Sequence, residues 1–104
     1  MSPIAQFAKF TARPGQGDQV VAALEKAFIS ARDEAGTRVY AIHRQIDDPD
    51  VVWMYELYAD TDAQQAHSGS AATAELRSAV ADLLASPLTV ARTQLGTHFG
   101  LPQS

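Results

Sequence analysis

The segment VVWMYELYA at 51–59, near the middle of the chain, is almost continuously apolar. A strand with one face in water alternates apolar and polar residues, and this segment does not. Both of its faces carry apolar side chains, and only Glu56 interrupts them. Such a strand usually has a packed layer on each side. Helices of a 104-residue chain can supply one layer at most, so the pattern predicts that a second copy of the protein supplies the other.

The first third of the chain predicts a strand followed by a helix. Residues 4–13 form a plausible strand, and Pro14-Gly15 breaks it. Asp18 is expected to cap the helix that follows, and Gly36 to end it as a left-handed C-terminal cap. The helix has one apolar face, which consists of Val21, Leu24, Phe28 and Ala31.

The remaining pattern predicts a hairpin, two helices and a last strand. Residues 37–47 are rich in β-branched and aromatic side chains, and the turn at 48–50 joins them to the apolar segment as an antiparallel hairpin. A short helix is expected at 63–67 and a longer one at about 72–85, which Ser86-Pro87 ends. The longer helix has a core stripe of Leu76, Val80, Leu83 and Leu84. Residues 88–99 complete the sheet.

This order of elements is that of the ferredoxin-like α+β fold. Strand, helix, strand, strand, helix, strand gives a four-stranded antiparallel sheet with its helices on one face. The chain is predicted to be one domain, 1–104, with its core at about 4–99. The open face of the sheet keeps several apolar side chains, which predicts a homodimer that pairs two sheets face to face.

The composition of the chain argues against several classes of binding partner. The net charge is −4, and the eight Lys and Arg residues are scattered, so neither nucleic acid nor an acidic membrane surface is expected. No apolar run is long enough to span a membrane, and no targeting segment is apparent, which predicts a cytoplasmic protein. Cysteine is absent, and the three histidines lack close spacing, so no metal site is expected.

Four passages together resemble the antibiotic biosynthesis monooxygenase family, a group of dimeric α+β barrels. The resemblance covers roughly residues 4–99, and the order and spacing of the passages are more specific than any one of them. The passages are FTARPG at 10–15, RDEAG at 32–36, DDPD at 47–50, and YELYAD at 55–60 leading to His67.

The resemblance implies an activity. The family's characterised enzymes oxidise anthrone-type polycyclic phenols or quinols to quinones, with molecular oxygen as co-substrate and with neither metal nor flavin. It implies a dry aromatic pocket between the sheet and the helices, with hydrogen bonds to a developing oxyanion. A related branch degrades haem with an Asn, Trp and His trio. This chain has no asparagine, and Arg77 stands where that histidine is expected, so haem is not expected.

Glu56 is the first candidate for chemistry, because it interrupts an apolar face. A buried carboxylate without a partner costs roughly 2 kcal/mol or more. Two alternatives follow: Arg44 or Arg92 pairs with it, or its pKa is raised and it acts as a base.

His67 is the second candidate. It ends the short helix, whose C-terminus favours the charged imidazole, and a pKa near neutral would let it accept a proton from a phenol. The alternative is that His67 only caps the helix or faces solvent.

The aromatic residues of the hairpin and the first helix are candidates for substrate binding. Tyr55 joins Glu56 and His67 as a candidate catalytic residue, and Trp53 is expected to form a wall of the pocket. The other candidate binding residues are Tyr40, Tyr58 and Phe28. Packing in the core or at the dimer interface is the plainer alternative for each aromatic ring.

Three functions therefore stay open at this point. The first is a cofactor-free monooxygenase acting on a small aromatic substrate. The second is a non-catalytic, ligand-binding dimer of the same fold. The third is an isomerase or cyclase on a related polyketide, because one fold hosts several chemistries.

Overall fold

The computed structural model describes residues 2–102 of the chain. Its elements in order are β1 Ile4–Thr11, α1 Gly17–Arg32, β2 Thr37–Arg44, β3 Val51–Tyr58, α2 Thr61–Ser68, α3 Ala71–Val80 and β4 Thr89–Gln94. The predicted order of elements and the ferredoxin-like α+β fold are confirmed, including the division of the second helical region at 68–70. Within the described range, no helix has the length and apolar character needed to cross a membrane.

The four strands form one antiparallel sheet in the order β2-β3-β1-β4. The helix-facing side of its central strands is the core. Side chains of β1 and β3 pack there against Val20 and Leu24 of α1 and Val80 of α3, and the strand residues of this cluster are Ala8, Phe10, Val52 and Met54. The apolar segment that dominates the sequence is therefore a central strand, as its pattern predicts.

The opposite side of the sheet keeps large aromatic side chains exposed. Phe7 is 44% exposed and Trp53 is 39% exposed. The Phe7 and Tyr55 rings lie 5.3 Å apart between centroids. These three residues define what we call the open face, and within residues 2–102 none of them belongs to the core that packs against the helices.

The N-terminus of α1 is capped from the hairpin turn and not from its own sequence. The N-cap residue, Gln16, makes no side-chain cap bond. The Asp50 carboxylate instead accepts hydrogen bonds from the backbone N–H groups of Gly15 and Gly17, each at 3.0 Å. These two bonds lower the pKa of Asp50 below its ordinary value. The prediction that Asp18 caps the helix is wrong: Asp18 lies in the first turn and pairs with Arg44 at 3.0 Å.

Gly36 permits close packing and does not form a left-handed cap. The prediction that it caps the end of α1 is therefore wrong. The helix ends at Arg32, and Asp33 follows in a right-handed conformation. Among the described glycines, only Gly15 and Gly100 have positive φ. A Cβ on Gly36 would collide with the side chain of Ala63. The missing side chain therefore lets the loop before β2 lie directly against α2.

The last helix and the last strand are shorter than predicted. The helix ends at Val80 because the chain then pairs with the end of β1: Ala85 N–H donates to Thr11 O at 2.8 Å. β4 ends at Gln94, opposite Ile4, where its partner strand begins. One further backbone hydrogen bond, from Leu95 N–H to Pro3 O at 3.1 Å, continues the pairing just beyond the strand ends.

Candidate active site

A row of four side chains crosses the helix-facing side of the sheet. The register places Tyr40 beside Glu56, Glu56 beside Gln6, and Gln6 beside Arg92. Directly opposed residues on neighbouring strands share one face and lie within contact distance. The row therefore joins all four strands and brings two polar groups, Glu56 and Gln6, to the centre of an otherwise apolar surface.

Glu56 is buried, and both of its carboxylate oxygens accept hydrogen bonds. It is 5% exposed. Its Oε1 accepts a hydrogen bond from the Tyr58 hydroxyl at 2.8 Å and lies 3.2 Å from His67 Nε2. Its Oε2 accepts one from Gln6 Nε2 at 2.8 Å. Burial alone would raise the pKa of Glu56, but the bonds from His67, Tyr58 and Gln6 outweigh it and lower the pKa.

Two premises that the sequence suggested for Glu56, an arginine partner and a raised pKa, are therefore corrected. Among residues 2–102, no arginine pairs with it: Arg92 donates to Gln6 Oε1 at 3.1 Å, and Arg44 bonds Asp18 and Pro49 O. Its pKa is lowered and not raised. The partner is a histidine and not an arginine, because α2 packs on the sheet and places the imidazole of His67 next to Glu56.

His67 lies between two carboxylates. Nδ1 is 2.7 Å from Glu34 Oε1, and Nε2 is 3.2 Å from Glu56 Oε1. The side chain is 11% exposed. Burial would lower the pKa of His67, but its hydrogen bonds to Glu56 and Glu34 outweigh this and raise the pKa. Because a carboxylate accepts at each ring nitrogen, the doubly protonated imidazolium fits this position.

The prediction that His67 favours its charged form agrees with this geometry, but the cause differs. Two carboxylates produce the effect, not the helix end alone. His67 is therefore not the free proton acceptor expected from the sequence, and it is neither solvent-facing nor merely a cap. It is a buried imidazole held between two carboxylates, which favour its charged form.

Glu34 is the site residue that the sequence pattern does not reveal. It comes from the loop between α1 and β2, 33 positions before His67, and Thr37 Oγ1 donates to its Oε1 at 2.7 Å. The close packing of Gly36 on Ala63 brings this loop to α2. Gln6 was also missed, although it left a signal: it is a polar residue on the apolar face of β1.

Two tyrosines flank the imidazole. The Tyr58 ring centroid lies 5.3 Å and the Tyr40 centroid 6.2 Å from that of His67. The Tyr40 hydroxyl donates to Leu24 O at 3.3 Å. Burial, followed by the nearby charge of Glu56, raises the pKa of both phenols. Both tyrosines therefore stay protonated and act as donors at neutral pH.

A cleft opens from this polar cluster between the sheet and the helices, where the sequence predicted a pocket. Glu56, His67 and Gln6 form its inner end, and the exposed residues Arg77 and Arg92 lie at its mouth. The walls are apolar and include Ala8, Phe10, Leu24, Met54, Val80 and Leu88. Its volume, about 80 Å³, is below the roughly 300–1,000 Å³ of pockets that enclose drug-sized ligands. The inner end therefore suits a single ring better than a fused polycycle.

Three of the predicted site residues lie elsewhere. Trp53 and Tyr55 are on the open face, because side chains alternate along β3 and Glu56 points to the helices. Trp53 Nε1 donates to Gln45 Oε1 at 2.9 Å, and Lys9 Nζ lies 5.2 Å from the Trp53 ring centroid. Phe28 stacks on Tyr40 in a separate cavity. The expectation that Trp53 lines this cleft and that Tyr55 acts with His67 is thus wrong.

Comparisons with known proteins agree with this fold and identify the family. The antibiotic biosynthesis monooxygenase family model matches residues 3–82. A Mycobacterium tuberculosis protein named "Putative monooxygenase Rv0793" is 32% identical over 89 residues, which cover 86% of this chain and 87% of that protein. The chain belongs to the antibiotic biosynthesis monooxygenase family.

Solved structures give the same result. The structure of Rv0793 superposes with a TM-score of 0.88 at 27% identity, covering 95% of this chain and 100% of that chain. A protein of unknown function from Nitrosomonas europaea, NE2512, has a TM-score of 0.85 at 28% identity, covering 100% of this chain and 98% of that one. Both likenesses extend over essentially the whole fold that positions the cleft.

Proposed function

We propose that this protein is a cofactor-independent monooxygenase that oxidises a phenolic substrate to a quinone, with molecular oxygen as co-substrate. The observation that carries the proposal is the Glu34–His67–Glu56 cluster at the inner end of an apolar cleft. A single-ring quinol is the favoured substrate and an anthrone-type polycycle the less favoured one, because the cleft is narrow. Family membership supports the reaction class.

The first step is ionisation of the substrate. Within residues 2–102, Glu56 Oε2 accepts one side-chain hydrogen bond, from Gln6, and a carboxylate oxygen has room for a second. A phenolic hydroxyl in the cleft donates to this oxygen, and Glu56 takes its proton. Glu56 is a weak base, so the phenolate needs help. The His67 imidazolium supplies it, because a fixed positive charge in an apolar site stabilises developing negative charge.

The second step is reaction of the electron-rich ring carbon with oxygen. One oxygen atom enters the ring as a new carbonyl or hydroxyl group, and the other leaves as water with two hydrogens from the substrate. A quinol plus O₂ thus gives a hydroxyquinone plus H₂O. The substrate itself supplies the two electrons that reduce the second oxygen atom to water. The apolar walls keep bulk water from the anionic ring.

Oxygen uptake by the purified, metal-stripped protein tests this function. With 1,4-dihydroxybenzene, uptake is expected well above the spontaneous rate measured with heat-denatured protein, with one hydroxyquinone formed per O₂ and no hydrogen peroxide. Anthrone is expected to react more slowly, because three fused rings exceed the cleft. Anaerobic conversion of a substrate would instead indicate an isomerase or cyclase. Ligand binding in calorimetry without uptake would indicate a binding protein.

We also propose that two copies pair through the open face. Phe7, Trp53 and Tyr55 form an aromatic surface on the open side of the sheet, and a two-fold axis that relates two such sheets would bury it. Light scattering after size exclusion should give twice the chain mass of 11.2 kDa. Trp53→Glu is expected to give the monomer mass, while Ile46→Glu, at a fully exposed turn position, is expected to remain a dimer. A wild-type protein that is monomeric at micromolar concentration would contradict the pairing.

A further inference from the structure

The mouth of the cleft carries two arginines without acidic partners. Arg77 comes from α3 and Arg92 from β4, and both are exposed residues of the lining. Within residues 2–102, neither forms an ion pair, and the only side-chain hydrogen bond of Arg92 joins Nε to Gln6. Its two terminal nitrogens have no partner in that range. Arg44, by contrast, binds Asp18 and Pro49 O.

Arg77 and Arg92 are distinguished by their position at one cleft and not by lacking an ion pair, since within residues 2–102 Arg44 alone of the Lys and Arg residues forms one. The net charge is −4, and Asp and Glu outnumber Lys and Arg by twelve to eight. Two unpaired cations at the mouth of one apolar cleft therefore do not follow from a general excess of basic residues. A guanidinium presents a planar fork of donors that matches a carboxylate in two parallel hydrogen bonds.

We infer that the substrate of the proposed monooxygenase is an anionic phenol, a quinol ring that carries a carboxylate. The inference rests on the proposed function and names the substrate class of the same cleft. The carboxylate lies at the mouth against Arg77 and Arg92, and the ring occupies the apolar walls. A hydroxyl group on the far side of the ring reaches Glu56.

The charges at the inner end fix this orientation. Glu34 and Glu56 with one imidazolium give that end a net charge of −1 when all three are ionised. A substrate carboxylate there would meet like charge in an apolar surrounding, which is strongly unfavourable. A neutral hydroxyl is tolerated, and it is the group that the reaction ionises. The reaction leaves the carboxylate unchanged: a quinol carboxylate plus O₂ gives a hydroxyquinone carboxylate plus H₂O.

A matched pair of probes tests the inference: 2,5-dihydroxybenzoate and its neutral methyl ester. The wild-type protein is expected to show kcat/KM about five- to tenfold higher for the acid, which is below the more than tenfold effect of a buried hydrogen bond to a charged group because the arginines are exposed. Added salt is expected to reduce this preference, because the arginines are exposed. Arg77→Gln is expected to lower kcat/KM for the acid about five- to tenfold more than for the ester.

Arg38→Gln is the matched control. Arg38 also has no ion-pair partner among residues 2–102, but it lies in β2 beside the separate cavity at Phe28. The preference for the acid should survive this change. Arg92→Gln is the second test variant, and it is expected to weaken the preference for the acid as Arg77→Gln does. It is also expected to lower kcat/KM for both probes, because Arg92 holds Gln6 by a hydrogen bond.

The outcomes separate this inference from the proposed function. Turnover of both probes with equal or better use of the ester would overturn the inference while the function stands. Absence of turnover, with calorimetric binding of the acid that depends on Arg77, would overturn the function while the ligand class stands. If the acid does not bind at all, or binds equally well to Arg77→Gln, the inference fails.

Discussion

Glu56→Gln is expected to lower kcat for quinone formation by about 10²- to 10⁴-fold, because an amide cannot take the proton of the substrate hydroxyl. The substitution preserves size and lets the side-chain oxygen keep accepting from Tyr58 or Gln6. KM is expected to change little, since the apolar walls and the mouth are untouched. Steady-state kinetics with 1,4-dihydroxybenzene, followed by oxygen uptake and quinone absorbance, measures both constants.

Glu25→Gln is the control for this loss. Glu25 is an exposed carboxylate of α1 outside the cleft, so the same chemical change there should leave kcat unaltered. Circular dichroism must show that Glu56→Gln is folded. If Glu56→Gln is folded and keeps the wild-type kcat, Glu56 is not the base. The Glu34–His67–Glu56 cluster would then have only a structural role.

The fold could be predicted because the spacing of apolar residues along the chain shows which side of each strand or helix is buried. Apolar alternation in β1 and the continuous run of β3 define two central strands, and the spacing of Leu24 and Val80 with their neighbours defines helix faces. The boundaries were less predictable, since tertiary partners set them. The pairing of 83–85 with the end of β1 shortens α3, and the Asp50 carboxylate replaces a local cap at α1.

The site was only half predictable from the same pattern. Glu56 is conspicuous because a charge interrupts an apolar face. Trp53 was misplaced because both faces of β3 are apolar, so the sequence does not say which face meets the helices. Glu34 lies in a loop, and the contact between Gly36 and Ala63 that positions it depends on the folded chain.

The polar cluster is also a complete network. Among residues 2–102, every buried side-chain nitrogen or oxygen has a hydrogen-bond partner. Gln64 extends the network by donating to Gln6 Oε1 at 3.3 Å and to Ser68 Oγ at 3.3 Å. A fully satisfied network in an apolar surrounding is rigid, and a rigid set of charges needs no rearrangement when the substrate ionises.

His67 should therefore matter for stability as well as for activity. Its removal leaves Glu34 and Glu56 facing each other without a cation, and removing one partner of a buried ion pair typically costs about 3–5 kcal/mol. His67→Ala is expected to lose free energy of unfolding in that range near pH 6, measured by urea denaturation. His98→Ala, at an exposed position, is expected to stay within about 0.5 kcal/mol of wild type.

The loss of stability in His67→Ala is expected to depend on pH. The pKa of His67 is raised by folding, so its contribution is fully present below the unfolded value of 6.5 and is lost as pH rises through the folded value. The pKa of Glu56 is lowered, so its contribution is present above the unfolded value of 4.5 and is lost as pH falls through the folded value. The stability difference between wild type and His67→Ala should therefore be largest between these two values and shrink on both sides. A difference that does not vary with pH would mean that the lost packing of the ring, and not its charge, stabilises the fold.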